Sequence, residues 1–145
     1  ERHRRSFVLI LGDLDYFKLI NDRFGHLVGD EVLKGVAQRI RGSLRRSDLA
    51  FRIGGEEFAV LLLETPLASG LEVAEKLRHR IDASPIALTN GQQVFPTMSF
   101  GVAAPQGPSC EVLFARADQA LYVAKRKGRN RVEVLPPTED FNAPS

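Results

Sequence analysis

Residues 49–63 read Leu49-Ala50-Phe51-Arg52-Ile53-Gly54-Gly55-Glu56-Glu57-Phe58-Ala59-Val60-Leu61-Leu62-Leu63. Two strand-like runs, Leu49–Ile53 and Phe58–Leu63, flank Gly-Gly-Glu-Glu. Such a pattern predicts a β-hairpin, with glycine supplying φ > 0 at little cost in the turn. The hairpin decides the fold because the segments around it alternate between strand and helix. Upstream, Ser6–Leu11 is a short apolar run that acids follow at once, as a buried strand would be. Phe17–Arg23 predicts a short helix ended by Gly25. A second helix, with Asp30 as its cap, places Val32, Leu33, Val36, Ala37, Ile40 and Leu44 on one stripe. Downstream, a helix over 67–82 puts Val73, Ala74, Leu77 and Ile81 on one face. Strands follow at Ile86–Leu88 and Val94–Val102. A fourth helix, 111–127, buries Leu113, Phe114, Ala117, Leu121 and Ala124 and stops at Gly128; Val132–Leu135 is a last strand. The order β-α-α-β-β-α-β-α-β predicts an α/β fold, an α+β sandwich around a βαββαβ core. Residues 1–135 form one domain in this scheme, and residues 136–145, with three prolines, an expected disordered tail.

Composition narrows the function. The chain has 145 residues, 43% hydrophobic and 26% charged, the profile of one globular domain. With 20 Lys+Arg against 18 Asp+Glu the net charge is only +2, which argues against a dedicated binder of nucleic-acid polymers. The balance conceals segregation. Acids gather at Asp13, Asp15, Asp22, Asp30, Glu56 and Glu57, five of the seven residues 125–131 are basic, and 83–110 holds no Asp, Glu, Lys or Arg. One cysteine, Cys110, allows neither an intrachain disulfide nor a cysteine-rich zinc site. No apolar run approaches the ~18–20 residues that span a bilayer. A cytoplasmic domain is the expectation, whether or not a parent protein is membrane-anchored.

The acids carry the chemistry. Asp13 and Asp15 follow the first strand, and alternation puts both on one face if the strand continues. Glu56 and Glu57 occupy the hairpin tip. If the first strand lies beside the hairpin, Asp13 and Glu56 can meet. Converging carboxylates need a compensating cation or proton, and a hard divalent cation with oxygen ligands is the natural one. The alternative is that these are solvated turn acids. Asp13-Leu14-Asp15 opens like an EF-hand, but Phe17 and Lys18 fill positions that need Asp/Asn and Gly. His3, His26 and His79 lack metal-site spacing, and no phosphate-binding glycine loop is present.

Three blocks in order carry a resemblance: Asp13-Leu14-Asp15-Tyr16-Phe17-Lys18-Leu19-Ile20-Asn21-Asp22 with Gly25-His26 and Gly29-Asp30; Gly54-Gly55-Glu56-Glu57-Phe58; and Ala124-Lys125 with Gly128-Arg129-Asn130. The sequence resembles GGDEF domains, the diguanylate cyclases of bacterial signalling, in the GGEEF form, over about residues 6–135. The resemblance implies a mostly antiparallel sheet similar to polymerase palms and nucleotidyl cyclases. It implies condensation of two GTP into cyclic di-GMP by a homodimer of domains, with Mg²⁺ as cofactor and Mn²⁺ as a substitute. Asp13, the Leu14 carbonyl and Glu56 are then the metal ligands. Glu57 supports a second ion or the substrate, Glu56 is the family's proposed base, and Lys18 neutralises charge. Asn21 and Asp30 occupy guanine-reading positions. The N–H groups around Tyr16 and Phe17, close passage at Gly54 and Gly55, and the cations Lys125 and Arg129 serve the triphosphate. Arg45 and Asp48 match the R-x-x-D site where cyclic di-GMP inhibits, and Arg78 and Arg80 are candidates for a partner surface. The family's Leu-Thr-x-Leu-x-Asn-Arg segment is missing here, so a fragment of a longer parent with an upstream sensor domain is expected. The uncharged stretch 83–110 is expected to lie away from the substrate. The rival to a working cyclase is an idle GGDEF domain that binds GTP or cyclic di-GMP and regulates a partner.

Overall fold

The computed structural model describes residues 6–136. The expected tail lies outside the described residues beyond Pro136. β1 (Phe7–Leu14) is followed by α1 (Phe17–Phe24), α2 (His26–Gly42), β2 (Leu49–Gly54), β3 (Glu57–Leu63) and α3 (Leu67–Asp82). Then come β4 (Ile86–Ala87), β5 (Gln93–Val94), β6 (Met98–Ala103), α4 (Cys110–Arg126) and β7 (Val132–Val134). The main sheet has the order β2-β3-β1-β6-β7. Its neighbours are antiparallel except for the parallel pair β6–β7. This is the mostly antiparallel βαββαβ arrangement with one added strand.

Period-2 alternation gives the sheet two apolar faces. Val8, Ile10 and Leu14 of β1 pack with Val32, Val36 and Ile40 of α2 and Ala74, Leu77 and Ile81 of α3. Leu9 and Leu11 face the other way, onto Leu113, Ala117 and Leu121 of α4. Each large side chain taken fully out of water contributes about 1.5–3 kcal/mol, so β1, with apolar side chains on both faces, is the spine of the molecule. α4 sits close: a Cβ on Gly101 of β6 would lie 2.2 Å from the Ala117 carbonyl oxygen.

Three local expectations are corrected. The strand expected over Val94–Val102 is broken into β5 and β6, because Pro96 has no N–H to extend the ladder. β4 and β5 form a separate hairpin, tied to α2 where Thr89 donates from N and Oγ1 to the Glu31 carboxylate. α2 begins a full turn before Asp30, at His26, with Gly25 (φ 93°) as its cap, so Asp30 is an exposed residue of the second turn. Neither Gly54 nor Gly55 has a positive φ. A β-bulge between Arg52 and Gly54 shapes the hairpin end instead, and Arg52 Nε donates to the Gly55 carbonyl at 2.8 Å.

Candidate functional site

The acidic end of β1 is assembled by three neighbours. Asp13 continues the Leu9–Leu11 face, so it lies under the end of α4. On α4 the buried stripe Leu113, Ala117, Leu121 advances four residues at a time. The next position is Lys125, whose Nζ donates to Asp13 Oδ2. Across the strands, Asp13 is paired with Glu57 on one side and Ser99 on the other. Glu56, in the hairpin loop, is tethered through its carbonyl, which accepts the Leu14 N–H at 3.1 Å.

Asp15 turns into the protein. It is 5% exposed. Its carboxylate accepts from Thr97 Oγ1 and Ser99 Oγ, each at 2.7 Å, and from the Asn130 N–H at 3.0 Å. The stretch expected to lie away from the site therefore supplies two of its supports, because β6 is the neighbour of β1. After Asp15, Tyr16 adopts φ 60° and starts α1 without a side-chain cap. First-turn N–H groups of a helix have no intrahelical partner, and here they open onto a cleft. That cleft, about 450 Å³, is lined by Asp13, Leu14, Tyr16, Phe17, Lys18, Glu56, Lys125 and Arg129, with Asp15, Leu19 and Asp22. The Arg129 guanidinium lies over the Tyr16 ring at 5.1 Å.

The electrostatics are unbalanced toward acid. Burial pushes the Asp13 carboxyl above its ordinary value; Lys125 opposes this, while Glu56 and Asp15 add to it. Burial also raises Glu57, reinforced by Asp13 and Asp118. Among the described residues no three acidic, histidine or cysteine side chains form an enclosing metal cage. Mg²⁺ does not need one: it takes one or two carboxylates and completes its shell with waters and phosphate oxygens. The all-oxygen donors at Asp13, Leu14 and Glu56, with the raised Glu57 carboxyl paired opposite Asp13, fit such an ion.

The other expected residues fall elsewhere. Asp30 lines a second cleft, about 460 Å³, between α2 and β2, with Leu33, Lys34, Phe51, Arg52 and Phe58 among its walls. Asn21 packs against Gly29, whose added Cβ would lie 1.9 Å from Asn21 Oδ1, and that oxygen is buried without a hydrogen-bond partner. Lys18, at the rim of the first cleft, is exposed to solvent and pairs with Asp22 at 3.4 Å. Gly54 and Gly55 border open space, where an added Cβ meets nothing within 4 Å. Arg45 and Asp48 are closed on each other: Arg45 Nη2 donates to Asp48 Oδ1 at 2.9 Å and Arg45 N to Oδ2 at 2.8 Å. Arg78, a candidate for a partner surface, is 18% exposed. It is spent on Glu75, Asp82 and Asn130 Oδ1. Thr97 and Ser99 escaped sequence reasoning, and Asn130 was quoted in the third block without a role; hydroxyls two apart in a strand were the visible signal, but their partner strand was not.

A family profile described as "Diguanylate cyclase, GGDEF domain" matches residues 1–131. The diguanylate cyclase DgcP of Pseudomonas aeruginosa is 49% identical over 136 residues, covering 92% of this chain and 20% of the relative. The response regulator PleD of Caulobacter vibrioides is 44% identical over 126 residues, 85% of this chain and 28% of the relative. The chain thus spans only a minor part, 20% to 36%, of the curated relatives it matches. Among solved structures, the GGDEF domain of YfiN (TpbB) from Pseudomonas aeruginosa superposes with a TM-score of 0.87 at 40% identity, covering 94% of this chain and 86% of that one. The GGDEF domain of DgcB from Caulobacter crescentus, in complex with c-di-GMP, gives 0.85 at 33% identity, covering 89% and 77%.

Proposed function

The chain belongs to the diguanylate cyclase GGDEF domain family, and from that premise we propose that it condenses two GTP molecules into cyclic di-GMP and releases two pyrophosphates. The observation that carries the proposal is the single cleft that unites the carboxylates of Asp13 and Glu56, the cations Lys18, Lys125 and Arg129, and the open start of α1. Asp13, Glu56 and the Leu14 carbonyl would hold a divalent cation, Mg²⁺ in preference, with Glu57 close to it. When bound, that ion screens the triphosphate and stabilises the attacking and leaving oxygens of an in-line displacement.

The chain's own groups do the rest. The N–H groups around Tyr16 and Phe17 receive phosphate oxygens. Lys125 and Arg129 neutralise the charge that develops on the leaving pyrophosphate, and Lys18 approaches from solvent. Lys125 donates to Asp13 and would be shared between that carboxylate and phosphate. Asn21, with its unpartnered Oδ1, and Asp30 read the guanine edge: the Asp30 carboxylate accepts from the N1 and N2 hydrogens, which adenine does not offer in that pattern. Glu56 draws the proton from the attacking 3′-hydroxyl. The open space at Gly54 and Gly55 lets backbone pass close to the nucleotide. One chain holds one nucleotide cleft, so two copies must face each other to join two GTP.

Arg45 and Asp48 are the proposed seat of product inhibition. Their mutual ion pair must open for Arg45 to grip phosphate or guanine and Asp48 to accept from guanine. DgcB's complex with c-di-GMP supports this family-level expectation. Residues 1–135 act as the cyclase domain of a longer parent with an upstream sensor. The test is product analysis: the chain, dimerised by a fused coiled coil, is incubated with GTP and Mg²⁺ and the products are identified by mass. Cyclic di-GMP and pyrophosphate are expected. Tight GTP binding without product would establish the idle regulatory domain instead.

A further inference from the structure

We propose that Asp15 is a positioning residue: through Asn130 it holds the Gly128–Asn130 turn so that Arg129 and Lys125 face the acidic end of β1. The inference rests on the nucleotide reading of the cleft above. It begins with a backbone oddity. Gly128, Arg129 and Asn130 have φ of 126°, 63° and 46°, three successive positive values. Glycine tolerates this region and asparagine visits it, but arginine avoids it. Part of the turn is a helix ending of the Schellman type: the Arg129 N–H donates to the Ala124 carbonyl at 2.9 Å. That motif needs only the glycine. The two residues after it need another hold.

Asn130 supplies it from both ends. Its N–H donates to Asp15 at 3.0 Å, while its side chain accepts from Arg78 Nη1 at 2.9 Å and donates to Asp82 Oδ2 at 3.2 Å. The turn is thereby pinned between the end of β1 and α3. Asp15 is itself locked by Thr97 and Ser99, so it is a rigid anchor. Its next neighbour in the chain is Tyr16, the residue beneath the Arg129 guanidinium. One buried carboxylate thus sets both walls of the cleft, the start of α1 and the basic turn, at a fixed spacing. Nothing about Asp15 requires it to touch substrate.

The chemistry separates a positioning role from a charge or ligand role. In Asp15→Asn, the amide oxygen can replace Oδ2 and accept from Thr97 and Asn130. The NH₂ can donate to Ser99, whose hydroxyl accepts as readily as it donates. Geometry survives and charge is lost. In Asp15→Ala the anchor itself is gone. Two quantities are measured on the dimerised chain: kcat with GTP and Mg²⁺ per folded molecule, and the affinity for inorganic tripolyphosphate with Mg²⁺ by calorimetry. Asp15→Ala should lower kcat about 100-fold, the size expected when charged groups are misplaced by an ångström. It should also weaken tripolyphosphate about tenfold. Asp15→Asn should stay within about threefold in both. If Asp15→Ala does not fold, Asp15→Ser keeps a hydroxyl that can still meet Ser99 but is too short to reach the Asn130 N–H, and both losses should appear at about tenfold in kcat and in affinity. Equal losses in Asp15→Asn and Asp15→Ala, or unchanged values per folded molecule in Asp15→Ala or Asp15→Ser, would overturn the proposal. A wild-type chain that makes no cyclic product refutes the cyclase reading, while the tripolyphosphate affinities still decide the role of Asp15.

Discussion

Single residues of the cleft are held against their own stability. Glu57 begins β3 directly opposite Asp13, and its carboxyl is raised above the ordinary glutamate value of 4.5, by burial first and by Asp13 and Asp118 next. A raised carboxyl binds its proton more readily in the folded than in the unfolded chain, so its charge opposes folding once the pH exceeds 4.5. Glu57→Gln should therefore melt higher than the wild type at pH 7. Solvent screening keeps the gain to about 2 °C. The gain should vanish as the pH is lowered through the ordinary value, where both chains carry a neutral group. Thermal melts across pH check this; a Glu57→Gln protein that melts lower at pH 7 would show that Glu57 is a net stabiliser. Millimolar Mg²⁺ should narrow the difference, since a bound cation relieves the wild-type repulsion.

At the scale of elements, the placing of Lys125 depends on how α4 meets the sheet. Its stripe of Leu113, Ala117 and Leu121 fixes the rotation of the helix, and Gly101 fixes the distance. A Cβ at Gly101 would stand 2.2 Å from the Ala117 oxygen and 2.3 Å from the Leu121 nitrogen. Those are backbone atoms, which no rotamer change can move. Gly101→Ala should cost about 3 kcal/mol, at the upper end for overpacking, read as a lower urea midpoint at unchanged slope. The surviving fold should hold Lys125 farther from Asp13 and lose activity beyond the loss in stability. Neither effect would be expected if α4 could slide freely on β6. The short excursion β4–β5 plays no comparable part: it packs Ile86 and Val94 into the core beside α2 and is tied to that helix through Glu31 and Arg39.

On the scale of the whole molecule, the sheet separates two sites. β3 starts at Glu57 in the acidic cluster and ends at Leu63, whose carbonyl accepts from Arg45 Nη2 at 3.2 Å. Seven strand residues span about 20 Å, so product held at Arg45 and Asp48 cannot touch the metal-facing carboxylates of the same copy. Under the proposed function, inhibition from there would act on how two copies approach each other rather than by contact with those carboxylates. Arg45→Ala should abolish inhibition by added cyclic di-GMP, measured as initial rate against product concentration; unchanged inhibition would move the regulatory site elsewhere. No helix of the described residues is long and apolar enough to cross a membrane.

Local patterning made most of the architecture legible in the chain itself. Apolar periodicity set α2, α3 and α4 and the runs of β1 and β3, because burial of one face acts within each element alone, whereas the large apolar residues of β2 lie exposed at the sheet edge. The site's acids, its two cations and its glycines were likewise visible as motifs at fixed spacing. Other features depended on which strand lies beside which. Register alone made Glu57 the partner of Asp13 and brought Thr97 and Ser99 under Asp15 from a stretch without any charge. Packing alone brought Arg78 to Asn130, 52 positions away, whereas Arg45 closes on Asp48 only three residues on, a local pair that the R-x-x-D spacing already allows. The reason is physical: periodicity reports what a segment must bury, whereas hydrogen bonds between residues 82 and 115 positions apart exist only after the sheet has chosen its neighbours.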